Sequence, residues 1–159
     1  MWTQIQKSDY RALKLADRHY TRQKPGTPQF CRPGHNLVLL TEDEQALWVT
    51  WSGIRDDGWN AWECTMFRNE GPFLSSHLIV LALGITRHMW GLPPADGIIT
   101  YVGLHLHGGC FHAAGFKKAG RSKSGKSLLQ LSSDRMPPPV MPGEEGLFRH
   151  EMIITDTAP

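Results

Sequence analysis

Two short apolar runs dominate the first half of the chain. Asn36–Thr41 (NLVLLT) and Ala46–Ile54 (ALWVTWSGI) are rich in β-branched, aromatic and leucine side chains, and the polar stretch Glu42–Gln45 separates them. Two strand-like runs joined by a short polar turn predict a β-hairpin. Ala61–Arg68 (AWECTMFR) alternates as a strand does, and NEGP breaks it at Asn69–Pro72. Phe73–Trp90 keeps apolar residues at helical spacing for the longest stretch, and Gly91-Leu92-Pro93-Pro94 stops it. Upstream, Met1–Lys7 predicts a short first strand. Ser8 reads as an N-cap for a helix over Asp9–Arg22, with Tyr10, Leu13, Leu15, Ala16 and Tyr20 near helical spacing. Gln23–Gly34 holds three prolines and two glycines and reads as a loop. Downstream, Gly97–Leu104 predicts a strand and Gly108–Phe116 a short helix closed by Gly115. Lys126–Ser132 and Leu147–Ile154 predict closing strands. The order β, α, β, β, β, α, β, α, β, β describes one α/β (α+β) domain spanning residues 1–159, with a mixed sheet and helices on its faces.

Composition adds little to this picture. A chain of 159 residues can bury one sizeable core. With 40% hydrophobic and 20% charged residues it is not a disordered chain. Cys31, Cys64 and Cys110 are odd in number and widely spaced, which argues against a disulfide framework and for a reducing, cytoplasmic setting. Met1–Tyr20 has no apolar core of a signal peptide, and Leu78–Ile85 is too short to span a membrane, so no membrane partner is expected.

Charge distribution changes the picture more than the net +2 does. Lys117, Lys118, Arg121, Lys123 and Lys126 fall within ten residues that contain no acid. Such a stripe attracts phosphate whatever the total charge, or serves as a solvated turn. Inside it, Gly120–Ser127 (GRSKSGKS) fits the Walker A pattern at every fixed position. A phosphate-binding P-loop needs a buried strand entering it and a helix leaving it. Here GFKKA precedes it, and no apolar strand ending in Asp follows to hold Mg²⁺. The expectation is a hairpin turn with its cations aimed at solvent or at an anionic substrate.

A second candidate phosphate loop has better context. FRNEGPFLSS (Phe67–Ser76) joins a predicted strand to the longest helix. Arg68 is a cation at the strand end, Gly71 permits close backbone approach, and Ser75 and Ser76 sit in the first helical turn. R-x-x-G at this place is similar to the pyrophosphate loop of the GCN5-related N-acetyltransferase (GNAT) superfamily, Q/R-x-x-G-x-G/A, with Phe73 departing from the last position. Gly115-Phe116 resembles the Gly-Phe that ends the superfamily's next helix. The tyrosine that commonly protonates the departing thiolate there falls on Phe111, which has no proton to give. The resemblance implies a GNAT-like, mostly antiparallel central sheet with helices on both faces. It also implies an acetyl-CoA or related acyl-CoA donor held by Arg68, Asn69, Gly71, Ser75, Ser76, Cys110 and Phe111. Cys110, His112 or water would then take over proton donation.

The combination ADRHYTRQKPGTPQF, FRNEG…LSS, TYV and GGCFHAAGF resembles more closely the GNAT-like Mom DNA-modification proteins of Mu-like phages and their bacterial relatives. It spans roughly Ala16 to Leu131. The resemblance implies transfer of a carbamoylmethyl group to N6 of adenine in double-stranded DNA, which blocks restriction. The basic residues Lys117, Lys118, Arg121, Lys123 and Lys126 would then meet DNA. An enzyme acting on a base within a duplex must usually extrude it and hold it by stacking. Trp59 and Trp62, flanking a predicted turn, are candidates for that stacking.

On this reading His19 is the candidate general base, Tyr20 stacks or donates, Glu63 is the alternative base, and Tyr101 lies where the donor enters the sheet. His105, His107, Cys110 and His112 are all potential metal ligands, but they lack C-x-x-C or H-x-x-x-H spacing, so no metal site is expected. A CoA-dependent N-acyltransferase acting on a small amine or protein is the alternative. A P-loop nucleotide binder or a noncatalytic DNA-binding protein is the third reading. A second copy of the chain is a candidate partner.

Overall fold

The protein is described from a computed structural model over residues 1–22, 24–103 and 106–144. The predicted strand at Leu147–Ile154, the end of the predicted strand at Leu104, and His105 lie outside the described residues.

Strands β1 (Trp2–Ile5), β2 (His35–Thr41), β3 (Ala46–Ser52), β4 (Trp62–Asn69), β5 (Ile98–Val102), β6 (Lys117–Arg121) and β7 (Ser127–Leu131) form one sheet, ordered β1-β2-β3-β4-β5-β7-β6. Every neighbouring pair is antiparallel except β4 and β5. This is the expected mixed, mostly antiparallel sheet, and its helices cover both faces. Leu37, Leu39 and Trp48 point to the side where α2 (Ser75–Trp90) and Phe111 of α3 (Gly109–Ala113) pack. Val38, Leu40, Leu47 and Val49 point to the other side, onto Ala12, Leu15 and Ala16 of the first helical segment. The period-two alternation of β2 and β3 thus feeds two cores at once.

Three local expectations need correction. The first helix is short. Asp9, not Ser8, caps a single 3-10 turn over Tyr10–Ala12, and α1 covers only Leu13–Asp17. His19 and Tyr20 therefore lie beyond the helix rather than in its last turn. Second, the basic stretch Lys117–Arg121 is itself a strand, the sheet's edge, and only the segment between it and Ser127 is turn. Charged side chains on an edge strand discourage edge-to-edge pairing. Third, Trp62 is buried against Trp90 and unavailable for stacking on a ligand.

Two features open the sheet. In β4 the register jumps: Val49 pairs with Met66 but Thr50 pairs with Cys64, so Thr65 is an extra residue. A bulge of this kind reverses the phase of the side chains. Cys64 consequently joins the α2-side core while Met66 faces the α1 side. Next to the bulge, β4 and β5 pair in parallel only at Trp62–Ile98 and Glu63–Ile99. Where backbone pairing stops, the Thr100 hydroxyl donates to the Cys64 carbonyl at 2.9 Å. Gly97 sets the start of β5. Its φ is +73°, and a Cβ there would lie 2.1 Å from the Leu131 carbonyl oxygen, so only glycine fits. Among the described residues no helix is long and apolar enough to cross a membrane.

Candidate functional site: two cavities at the sheet splay

Two cavities meet at the β4–β5 splay. A wide cleft of about 960 Å³ lies on the α1 face, and a narrower cavity of about 410 Å³ opens toward α3. Tyr20, Cys64, Thr65, Met66 and Tyr101 line both, so the splay is the wall they share. Tyr20 lies across it. Its hydroxyl donates to the Tyr101 carbonyl at 2.7 Å, and the Lys126 ammonium sits 5.7 Å from its ring centre.

The wide cleft is strongly cationic. Arg22, Lys24, Arg32, Arg55, Arg121, Lys123 and Lys126 line it against Asp56, Asp57 and Glu63. Seven cations against three carboxylates is a surplus of four, on a chain whose whole net charge is +2. The Pro/Gly loop forms one wall. Arg22 holds it closed by donating to Asp17 Oδ1 at 2.8 Å and to the carbonyls of Gln29 and Thr27. The hairpin turn forms the opposite wall. Ser122 N donates to the Lys126 carbonyl at 2.8 Å, and Lys126 N donates to Ser122 Oγ at 3.0 Å. The Walker-like string is therefore the turn of the β6–β7 hairpin, and the segment leaving it is strand β7. Lys117 and Lys118 do not line the cleft. Lys118 pairs opposite Leu129, a member of the α2-side core, and so points to the other face.

The floor of the cleft is an ion-pair network that the sequence reading touched only at Glu63 and Tyr101. Glu63 is 6% exposed. Its Oε1 accepts from Arg32 at 3.0 Å and from Arg55 at 2.9 Å, while Oε2 has no hydrogen bond among the described residues. Arg55 also donates to Asp57, and the Tyr101 hydroxyl donates to Asp57 Oδ2 at 3.0 Å. These donors, Arg55 first, hold the Asp57 carboxyl far below the usual carboxylate range. Burial and then Asp57 push the Tyr101 hydroxyl above its ordinary value, so it stays protonated. Arg32 lies 3.8 Å over the Trp51 ring. Arg32, Arg55 and Asp57 escaped sequence reading because the fold alone brings them to Glu63. The charged turn at Arg55–Asp57 was the one available signal.

His19 lines the narrower cavity with Arg68, Cys110 and Phe111. Its Nδ1 sits 2.7 Å from Thr21 Oγ1 and accepts from Thr21 N at 3.3 Å. That bonding assigns the proton to Nε2 and ties up the basic lone pair. Burial first, then Arg68 and Lys126, lower its pKa to about 4. A histidine depressed below its unfolded value near 6.5 contributes stability that is complete above that value and is lost as pH falls through 6.5 toward 4. Acidification from pH 7 to 4 should cost the wild type on the order of 2–3 kcal/mol more than a His19→Gln variant. Urea melts of both proteins across that window check this, and parallel pH curves would contradict it.

Burial also raises the Cys110 thiol, so it is no thiolate at neutral pH. Phe111 is 9% exposed and packs edge-on against Phe67 and Phe116, serving as cavity wall and core together.

The R-x-x-G loop is built differently from a phosphate cradle. Arg68 Nε donates to Glu70 Oε2 at 2.6 Å, and Arg18 donates to the other oxygen at 2.5 Å. Arg68 Nη1 is bound to the Arg18 carbonyl. Gly71 N donates to Asn69 Oδ1 at 2.9 Å and Glu70 N to the Gln45 carbonyl at 2.8 Å. Asn69 Nδ2 closes the loop onto the Phe73 carbonyl and Ser75 Oγ. Gly71 packs on the β2–β3 turn, where a Cβ would sit 3.0 Å from Gln45 Cβ. The Glu70 and Gly71 amides are thus satisfied internally, and Arg68 is neutralised by Glu70. Asn69, Gly71, Ser75 and Ser76 line neither cavity. Arg68 and the Gly71 amide are already engaged within the loop and, so arranged, are not offered to the diphosphate of an acyl-CoA. Among the described residues no cluster of three metal-binding side chains is gathered. No protein family matches the chain, nor does any curated protein or solved structure.

Proposed function

We propose that this protein is a transferase that places a small carbon group, of the carbamoylmethyl type, on N6 of adenine in double-stranded DNA. One observation carries the reading. A wide, cationic, aromatic-lined cleft and a narrow, largely apolar cavity meet at a single wall, with Glu63 and the Tyr101 hydroxyl on the cleft side. The wide cleft suits a polyanion and is large enough for an extruded nucleotide. The narrow cavity suits the small donor group. The resemblance to Mom-type proteins in the Ala16–Leu131 region supports the DNA acceptor, and of its implied donor residues Arg68, Cys110 and Phe111 line the narrow cavity.

In this reading Arg121, Lys123 and Lys126 hold the phosphates flanking the target. Trp59 and Tyr20 offer faces for the base. Glu63 Oε2 takes the proton from N6, because His19 has its lone pair engaged by Thr21. The nitrogen lone pair forms the new C–N bond, the donor's bond to its leaving group breaks, and the leaving group departs with that electron pair. Arg32 and Arg55 hold the Glu63 carboxylate in place before and after the proton moves.

Restriction digestion offers a simple test. Plasmid DNA from cells expressing the protein should resist enzymes whose sites contain adenine. Full cleavage from well-expressing cells would count against the reading.

A further inference from the structure

The loop between β3 and β4 carries an isoleucine that packing does not explain. Ile54 is 99% exposed, the most exposed of the large hydrophobic side chains among the described residues. It is not itself a lining residue, but it immediately precedes Arg55, Asp56 and Asp57, which line the cationic cleft. Exposed apolar groups are common on mobile loops, but this loop is anchored. Arg55 donates to Asp57 at 3.0 Å and to Glu63 at 2.9 Å, and Trp59 N donates to Asp57 Oδ1 at 3.1 Å. Gly53 lies directly on the Trp51 indole, where a Cβ would come within 2.5 Å of Cζ2. The loop therefore presents one apolar side chain from a fixed platform, tied through Arg55 to the carboxylate at the cleft floor.

Resting on the DNA-modifying reading, we infer that Ile54 is a wedge that enters the base stack beside the extruded adenine. Apolar side chains inserted between base steps stabilise unstacked DNA, and the gap left by a flipped base is apolar and ring-sized. The partner is double-stranded DNA, because the cations of the same cleft match phosphates and only a stacked duplex leaves a gap to fill.

The test compares transfer to a duplex with transfer to the same strand unpaired. A single strand needs no wedge. The duplex-to-single-strand rate ratio should fall at least ~10-fold in Ile54→Ala and be retained in Ile54→Leu. Ile54 makes no core contact, so both variants should melt as the wild type does. An unchanged ratio in Ile54→Ala, with transfer intact, overturns the wedge alone. A wild-type protein that modifies neither form overturns the DNA-modifying reading and the wedge with it.

Discussion

Replacing Arg121, Lys123 and Lys126 together by alanine should lower affinity for double-stranded DNA roughly 10²-fold near 0.1 M salt. The three side chains stand on one wall of the cleft. Each phosphate neutralised contributes about 0.9 to the slope of log affinity against log salt, so the slope should flatten by about 3. Arg121 and Lys123 are exposed and Lys126 is half-buried, with none in a core cluster, so the fold should survive. Lys118→Ala is the internal control. It has the same charge and lies in the same stripe, yet it projects from the other face, and it should leave affinity within about twofold. Salt-titrated anisotropy with a short duplex measures both. Equal losses from the triple variant and from Lys118→Ala would mean that general charge, not this cleft, meets DNA.

Glu63→Gln is expected to cost about 10²–10⁴ in transfer rate. The same change leaves Arg55, whose side chain is 8% exposed, short of one counter-charge. Breaking a buried pair is costly, but Arg32 is half-exposed, Asp57 remains and glutamine still accepts a hydrogen bond. The expected stability loss is therefore only about 1–3 kcal/mol, or a melting shift of about 2–10 °C for a chain of this size. The two effects separate cleanly. Single-turnover transfer measured well below the variant's melting temperature should still be slow. Wild-type rates from folded Glu63→Gln would make Glu63 a structural anchor and move proton acceptance elsewhere.

Much of the fold was legible because strands and the long helix declare themselves locally. The apolar runs on either side of Glu42–Gln45 could hardly pair any other way, and Phe73–Trp90 held its helical period nearly to the residue. Local pattern failed where tertiary contacts chose the outcome. The stripe Lys117–Arg121 reads as a turn by composition, but pairing with Gln130, Leu129, Leu128 and Ser127 makes it a strand. Helical spacing beyond Asp17 lost to the fixing of the following loop by Asp17 and Arg22.

The site divided in the same way. His19, Tyr20, Glu63, Tyr101, Arg68, Cys110, Phe111, Arg121, Lys123 and Lys126 each line one or both of the two cavities that meet at the splay. The R-x-x-G string looked right in sequence and order, yet Asn69 and Glu70 consume its donors from within the loop. No spacing rule reveals that a loop's own side chains occupy its arginine and its glycine amide.

The most direct measurement is mass spectrometry of nucleosides from plasmid DNA, taken from cells expressing the wild type, Glu63→Gln or no protein. A heavier deoxyadenosine present with the wild type and lost with a folded Glu63→Gln is the result this account predicts. Unmodified deoxyadenosine under full expression, or a modification undiminished by Glu63→Gln, would contradict it.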